Sequence, residues 1–186
     1  MIDHEHKIIY IHINRCAGTS IERFFNCKGD HKTVSNYIHK MKMKKFKEYY
    51  SFAFVRNPWD KMLSMYQHNV EGSPNTNRGK SVRMEFNEWL TILPNAGLWN
   101  RLRWSNQYDW LTHRNKIQVN FIGRFERLNA DWKLLLEKIG LPHSHLCHHN
   151  SSKRRKKDYR SYYNDDGRQA VDKYFAKDIK EFGYEF

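Results

Sequence analysis

The sequence predicts an α/β fold built on a parallel sheet, and three observations carry that prediction. Two short apolar runs, IIYIHI at 8–13 and SFAFV at 51–55, each end at a polar loop that opens a helical pattern. Nearly continuous apolarity is what a strand covered on both faces requires. A third strand reads at 118–122, followed by another helical stripe. In a parallel sheet the first two loops fall along one edge, where ligands of open α/β sheets bind.

The first element rests on β-branched Ile8, Ile9, Ile11 and Ile13 with aromatic Tyr10, a strand composition. The chain then changes character. Arg15 supplies a cation, Ala17 and Gly18 allow close backbone approach, and Thr19 and Ser20 supply hydroxyls. Ile21, Phe24 and Phe25 recur at helical spacing. Backbone N–H groups at a helix start lack intrahelical partners and favour negative charge, so residues 15–20 suit a phosphate or sulfate. Taken alone, the loop is equally an ordinary strand–turn–helix connection. It is not a Walker A loop, because no Lys precedes Thr19 or Ser20, and it is not a dinucleotide fingerprint, because Gly18 has no glycine companions. Cys16 and Arg23 are one residue too far apart for a phosphatase loop, which leaves Cys16 as a small loop residue.

The second strand ends at Arg56, after which Asn57 and Pro58 provide a cap and a first helical residue. Trp59, Met62, Leu63 and Tyr66 form a buried stripe, and Asn57, Lys61, Ser64 and His68 fall on the opposite face. Arg56 and Ser64 are thereby candidates for a second anion. Further along, Asn129 is the expected cap of a helix with Trp132, Leu135, Leu136 and Ile139 inward, stopped by Gly140 and Pro142. Val171, Tyr174, Phe175, Ile179 and Phe182 define one last amphipathic helix closed near Gly183.

A chain of 186 residues fits one domain with a substantial core. Asp3 and Glu5 argue against a signal peptide and no apolar run reaches membrane-spanning length, so a soluble, cytoplasmic protein is expected. Cys16, Cys27 and Cys147 lack metal-site spacing and suit a reducing compartment. Residues 72–80 read as an excursion within the domain. The net charge of +13 attracts polyanions without naming one. By itself the KRRKK run at 153–157 is a solvated basic segment.

Together these motifs resemble the sulfotransferases that use 3′-phosphoadenosine 5′-phosphosulfate, particularly the carbohydrate O-sulfotransferase branch. IHINRCAGTSIE is similar to that family's 5′-phosphosulfate loop, and FAFVRNPWDKMLSMY to its 3′-phosphate motif. NFIGRFERL, HHNSSKRRKKDYRSYY and DIKEFGYEF resemble its later blocks. The resemblance implies a three-layer α/β/α, P-loop-like sulfotransferase fold over 1–186.

It further implies that Arg15, Cys16, Ala17, Gly18, Thr19 and Ser20 hold the 5′-phosphosulfate, that Arg56 and Ser64 hold the 3′-phosphate, and that Arg154 and Arg155 close over the cosubstrate. His31 lies where many relatives carry a general base, with His12 and His68 in reserve, and imidazole titrates in the range that such work needs. Arg15 would stabilise charge on the leaving phosphate during in-line transfer, and the family requires no metal. Two departures stand out: Asn14-Arg15 replaces the usual Pro-Lys, and Lys61 stands where Arg is common. Arg is not a neutral substitute for Lys, since its planar fork is bulkier and does not give up a proton.

Residues 69–116 lie outside the cosubstrate motifs and are assigned to acceptor recognition. They carry Trp89, Trp99, Trp104, Tyr108 and Trp110 among Arg78, Lys80, Arg83, Arg101 and Arg103, although core packing accounts for most such aromatics. The acceptor implied is a hydroxyl-bearing saccharide, itself anionic in keeping with the charge. His143, His145, Cys147, His148 and His149 are too tightly packed for a structural zinc site. A P-loop-like kinase lacks its Walker Lys, and a nucleic-acid-binding module has only KRRKK to support it.

Overall fold

Ile8, Ile9, Tyr10 and Ile11 are completely buried and form β2 (Ile8–Ile11), the strand beside the centre of a mixed sheet. The computed structural model describes residues 1–69, 84–91, 105–146 and 157–186. Its contacts divide the chain into two compact units, Met1–Arg56 with Gln107–Ser151, and Asn57–Asn106 with Ser152–Phe186.

In the first unit the sheet order is β1 (Ile2–Asp3), β2, β3 (Tyr50–Val55), β6 (Phe121–Arg124). β2, β3 and β6 are parallel, with Ile11 opposite Ala53 and Val55 opposite Arg124. β1 runs antiparallel to β2, so the sheet is mixed and not purely parallel. Phe52, Ala53 and Phe54 are as buried as β2, in keeping with their unbroken apolarity. Gly123 in β6 is a packing requirement, since a Cβ there would lie 2.3 Å from the Phe54 ring. Helices α1 (Gly18–Phe24), α2 (Val34–Met41) and α3 (Met43–Phe46) lie between β2 and β3 in the chain. α2 opens with a capping box between Thr33 and Asn36. The short helix α6 (Gln107–Leu111) leads into a hairpin of β4 (Thr112–His113) and β5 (Lys116–Ile117).

The third parallel strand lies later than the expected 118–122. The Asn120 amide oxygen accepts from Ser51 N and Ser51 Oγ, both at 2.8 Å, and Asn120 N donates to Ser51 O at 2.8 Å, so the side chain of Asn120 takes one of the bonds to β3 before the regular ladder starts. Asn129 does not cap the following helix, α7 (Leu128–Lys138). A 3₁₀ turn at Phe125–Arg127 feeds it directly, and Asp131 reaches back to accept from Arg124 N at 2.7 Å. Trp132, Leu135 and Leu136 are buried as expected. The helix stops in a Schellman motif: Gly140 has φ +70°, its N–H bonds Glu137 O, and Leu141 N bonds Leu136 O.

The second unit contains α4 (Pro58–Asn69), α5 (Phe86–Thr91), a 3₁₀ turn at Tyr159–Tyr162, α8 (Asp165–Tyr174) and α9 (Ala176–Phe182). Asn57 Oδ1 accepts from the N–H of Trp59 and of Asp60, the cap that the sequence calls for. Its Nδ2 donates to Tyr159 Oη and to Glu185 O. This draws distant chain over the start of α4, so both faces of its first turns are covered: Lys61 is fully buried and Ser64 nearly so, whereas His68 is exposed. The expected last helix is two, α8 and α9, which meet at Phe175 with φ −110°. Gly183 closes α9 with φ +60°, as expected.

Candidate functional site

β2 ends two residues earlier than its apolar run, because Ile13 N turns back to Ile11 O at 3.0 Å. The loop that follows contains two left-handed residues, Arg15 and Ala17, both at φ 64°. Neither is a glycine, and such conformations in side-chain-bearing residues concentrate at functional sites. Cys16 is fully buried, with its Sγ donating toward Gln107 Oε1 at 3.4 Å. It is a packing residue of the loop. Ala17 precedes α1, and Ser20 N and Ile21 N both bond its carbonyl. Thr19 and Ser20 are half-buried at the start of that helix.

Arg56, at the carboxyl end of β3, is 7% exposed and donates from Nη1 to Arg15 O at 3.0 Å. Its guanidinium lies over the Phe125 ring, 4.0 Å from the centroid. Arg15 is driven below its ordinary pKa first by burial and then by the positive charge of Arg56. Arg15 lies in the loop after β2 and Arg56 just after β3, two adjacent parallel strands, and the charge of Arg56 disfavours that of Arg15. A bound anion relieves that repulsion.

Gln107 holds these loops together. Its Oε1 accepts from Arg56 N at 2.9 Å, its Nε2 donates to Arg56 O at 2.7 Å, and it is fully buried. Sequence reasoning missed it, placing residue 107 in the acceptor segment, and a lone Gln in SNQYDWL gives no local signal.

Beneath the loop, His12 bonds Glu22 through Nδ1, while its Nε2 edge fills the space at Gly18: a Cβ on that residue would lie 1.7 Å from Nε2. Gly18 is helical, so its small size is needed here and its conformational freedom is not. His12 also stacks on Tyr10 at 5.6 Å between centroids. Burial and the neighbouring His31 pull the His12 pKa down to about 3, and burial raises that of Glu22. A neutral imidazole donating its Nδ1–H to Glu22 agrees with the lowered His12 pKa. His31 is exposed; its Nδ1 lies 3.1 Å from His12 O, and its ring is 4.4 Å from that of His12. The structure therefore brings His31, His12, Glu22 and Gly18 together. Glu22, ten residues after His12, was not marked by any spacing rule.

Of the remaining expected site residues, Ser64 and His68 belong to the second unit, and Arg154 and Arg155 lie outside the described residues. So do residues 72–80, Trp99, Trp104, Arg78, Lys80, Arg83, Arg101, Arg103, Cys147, His148 and His149. Trp89 and Trp110 are buried, which is the packing role. Among the described residues no group of three or more His, Cys, Asp or Glu is arranged to hold a metal ion. No described helix is long and apolar enough to cross a membrane.

Comparison with known proteins adds an independent line. The chain is 32% identical over 99 residues to a protein of Archaeoglobus fulgidus described as uncharacterized, a match covering 53% of this chain and 74% of that protein. No solved structure matches. The profile of the sulfotransferase family matches residues 1–185, through both units and every motif above. With an α/β sheet whose parallel strands end in paired cations, this chain belongs to the sulfotransferase family.

Proposed function

We propose that the protein moves a sulfuryl group from 3′-phosphoadenosine 5′-phosphosulfate to a hydroxyl of a carbohydrate, with His31 as general base and Arg15 as the cation at the leaving group. The observation that carries this reading is the Arg15–Arg56 pair in the loops after β2 and β3, where Arg56 donates to the Arg15 carbonyl and its charge disfavours that of Arg15. Such a donor set fits a nucleotide with anionic groups at two ends.

When bound, that nucleotide supplies the activated sulfuryl group. The protein's part is positioning and electrostatics. Arg15, with the backbone and hydroxyls of residues 16–20, holds the 5′ end and stabilises negative charge that builds there as transfer proceeds. Arg56 holds the 3′-phosphate with Ser64, and Arg154 and Arg155 close over the nucleotide. His31 takes the proton of the acceptor hydroxyl, its ring oriented by the carbonyl of His12. Parallel strands joined by helical crossovers support a three-layer, P-loop-like arrangement, and the family match through both units supports one functional domain.

The test is transfer of labelled sulfuryl from the donor to a panel of desulfated polysaccharides. Label is expected in the saccharide fraction and lost in His31→Ala; transfer undiminished by that substitution refutes the base assignment. Binding of ATP more tightly than 3′-phosphoadenosine 5′-phosphate would favour a kinase instead.

A further inference from the structure

The first unit has a second cationic feature, remote from the paired arginines in the chain. An open groove of about 670 Å³ lies between the end of α2 and the β4–β5 hairpin, lined by His39, Lys42, His113, Arg114, Lys116 and Gln118 over an apolar floor that includes Ile38. No carboxylate lines it, and no Phe, Tyr or Trp, among the described residues. The hairpin is fastened to α2 by Ser35, whose Oγ donates to Thr112 O at 3.1 Å and lies 3.1 Å from His113 Nδ1. The groove is therefore held by tertiary bonds.

Two of its cations stand where side chains are costly. Lys42, the single residue between α2 and α3, has φ 68°, and Arg114, at the hairpin tip, has φ 51°. Arg114 and Asn115 are both left-handed, the geometry of a type I′ turn, whose usual residues are Asn, Asp and Gly. Glycine would satisfy either backbone better. Long, exposed cations at two strained positions facing one groove point to a retained purpose.

We propose that this groove binds an anionic polysaccharide, the acceptor chain, through its sulfate or carboxylate groups. The identification of the occupant as acceptor rests on the sulfotransferase reading above. α2 begins three residues after His31 and its eight residues span roughly 12 Å, so the groove lies at the end of the helix opposite the one that His31 precedes. A polymer seated there extends from a docking site toward the catalytic His. Single-stranded nucleic acid is disfavoured because its binding sites stack bases on aromatic rings, whereas here the two imidazoles pack against each other, 5.5 Å apart and edge to face. Clustered cations attract polyanions, heparin-like chains among them, and the lack of stacking rings is what favours the saccharide here.

The experiment is calorimetric titration of the full chain with a size-defined, heparin-type octasaccharide, for the wild type and for Lys42→Gly/Arg114→Gly. Glycine fits both backbones, so the variant keeps or raises its thermal midpoint, while affinity falls at least tenfold and the salt dependence becomes shallower. Lys116→Glu, on an exposed strand position, is a second variant expected to lose affinity without touching either turn. No saturable binding by the wild type, or full affinity in both variants, overturns the proposal. So does tighter binding of a single-stranded oligonucleotide of equal charge that the same substitutions abolish. Titration with 3′-phosphoadenosine 5′-phosphate separates the two readings: the variants should bind it like the wild type, and a wild type that does not bind it refutes the sulfotransferase reading alone.

Discussion

Gln107 satisfies both polar groups of the Arg56 peptide, accepting from its N–H at 2.9 Å and donating to its carbonyl at 2.7 Å, as a neighbouring strand would. Arg56 sits where β3 has ended, so one buried side chain continues the ladder by a residue and fixes the direction in which the guanidinium leaves the sheet. Cys16 Sγ donates to the same Oε1, which couples the loops after β2 and β3.

Gln107→Leu keeps most of the volume and removes both bonds. Two buried peptide groups then lose their partners, at about 1–3 kcal/mol each. Urea denaturation should show a stability loss of roughly 2–6 kcal/mol, together with weaker nucleotide binding because Arg56 is no longer aimed. Unchanged stability would mean that water or a neighbour replaces the amide.

Gly18→Ala brings a methyl group into the imidazole of His12. Overpacking of this kind costs about 1–3 kcal/mol, and His12→Ala in the same chain should restore most of it. A double-mutant cycle measures that coupling. Additive losses would show that Gly18 is required for some other reason.

His12 gives the fold an acid-sensitive contribution. Its pKa is about 3 in the folded chain, against an ordinary 6.5, so between those values the unfolded chain binds the extra proton. Stability therefore rises with pH across that window and falls on acidification, by about 2 kcal/mol at pH 5 at 1.4 kcal/mol per unit. Glu22, raised by burial, acts in the opposite sense: its folded form holds a proton at pH values where the unfolded form has lost it, so its stabilisation fades as pH rises. His12→Gln should flatten the urea-midpoint profile between pH 7 and 5, and an unchanged profile would place the titration elsewhere.

Arg15→Ala should abolish transfer, with a loss of roughly a hundred- to thousandfold in turnover, the range for removing one donor to a developing anion. Turnover near that of the wild type would remove Arg15 from the chemistry.

Elements with strong periodicity or continuous apolarity were legible in the sequence. The two strand–loop–helix connections, the Asn57 cap and the glycine stops at 140 and 183 follow from local chemistry and lie where that chemistry puts them. Long-range side-chain bonds account for the rest. Asn120 reaching Ser51 displaced the third strand, and Asp131 reaching Arg124 displaced a helix start. Among the proposed site residues, Arg15, Arg56 and His31 are visible in the sequence because each stands in a polar loop. Gln107 and Glu22 are not, because each acts on a residue distant in sequence, and no spacing rule marks such a pairing.

The central claim is that Arg15 and Arg56 grip one nucleotide, and calorimetric titration with 3′-phosphoadenosine 5′-phosphate tests it most directly. Saturable binding at a single site is expected, weakened at least tenfold in Arg56→Ala. Absence of saturable binding by the folded wild-type chain, or equal affinity in Arg56→Ala, would contradict it.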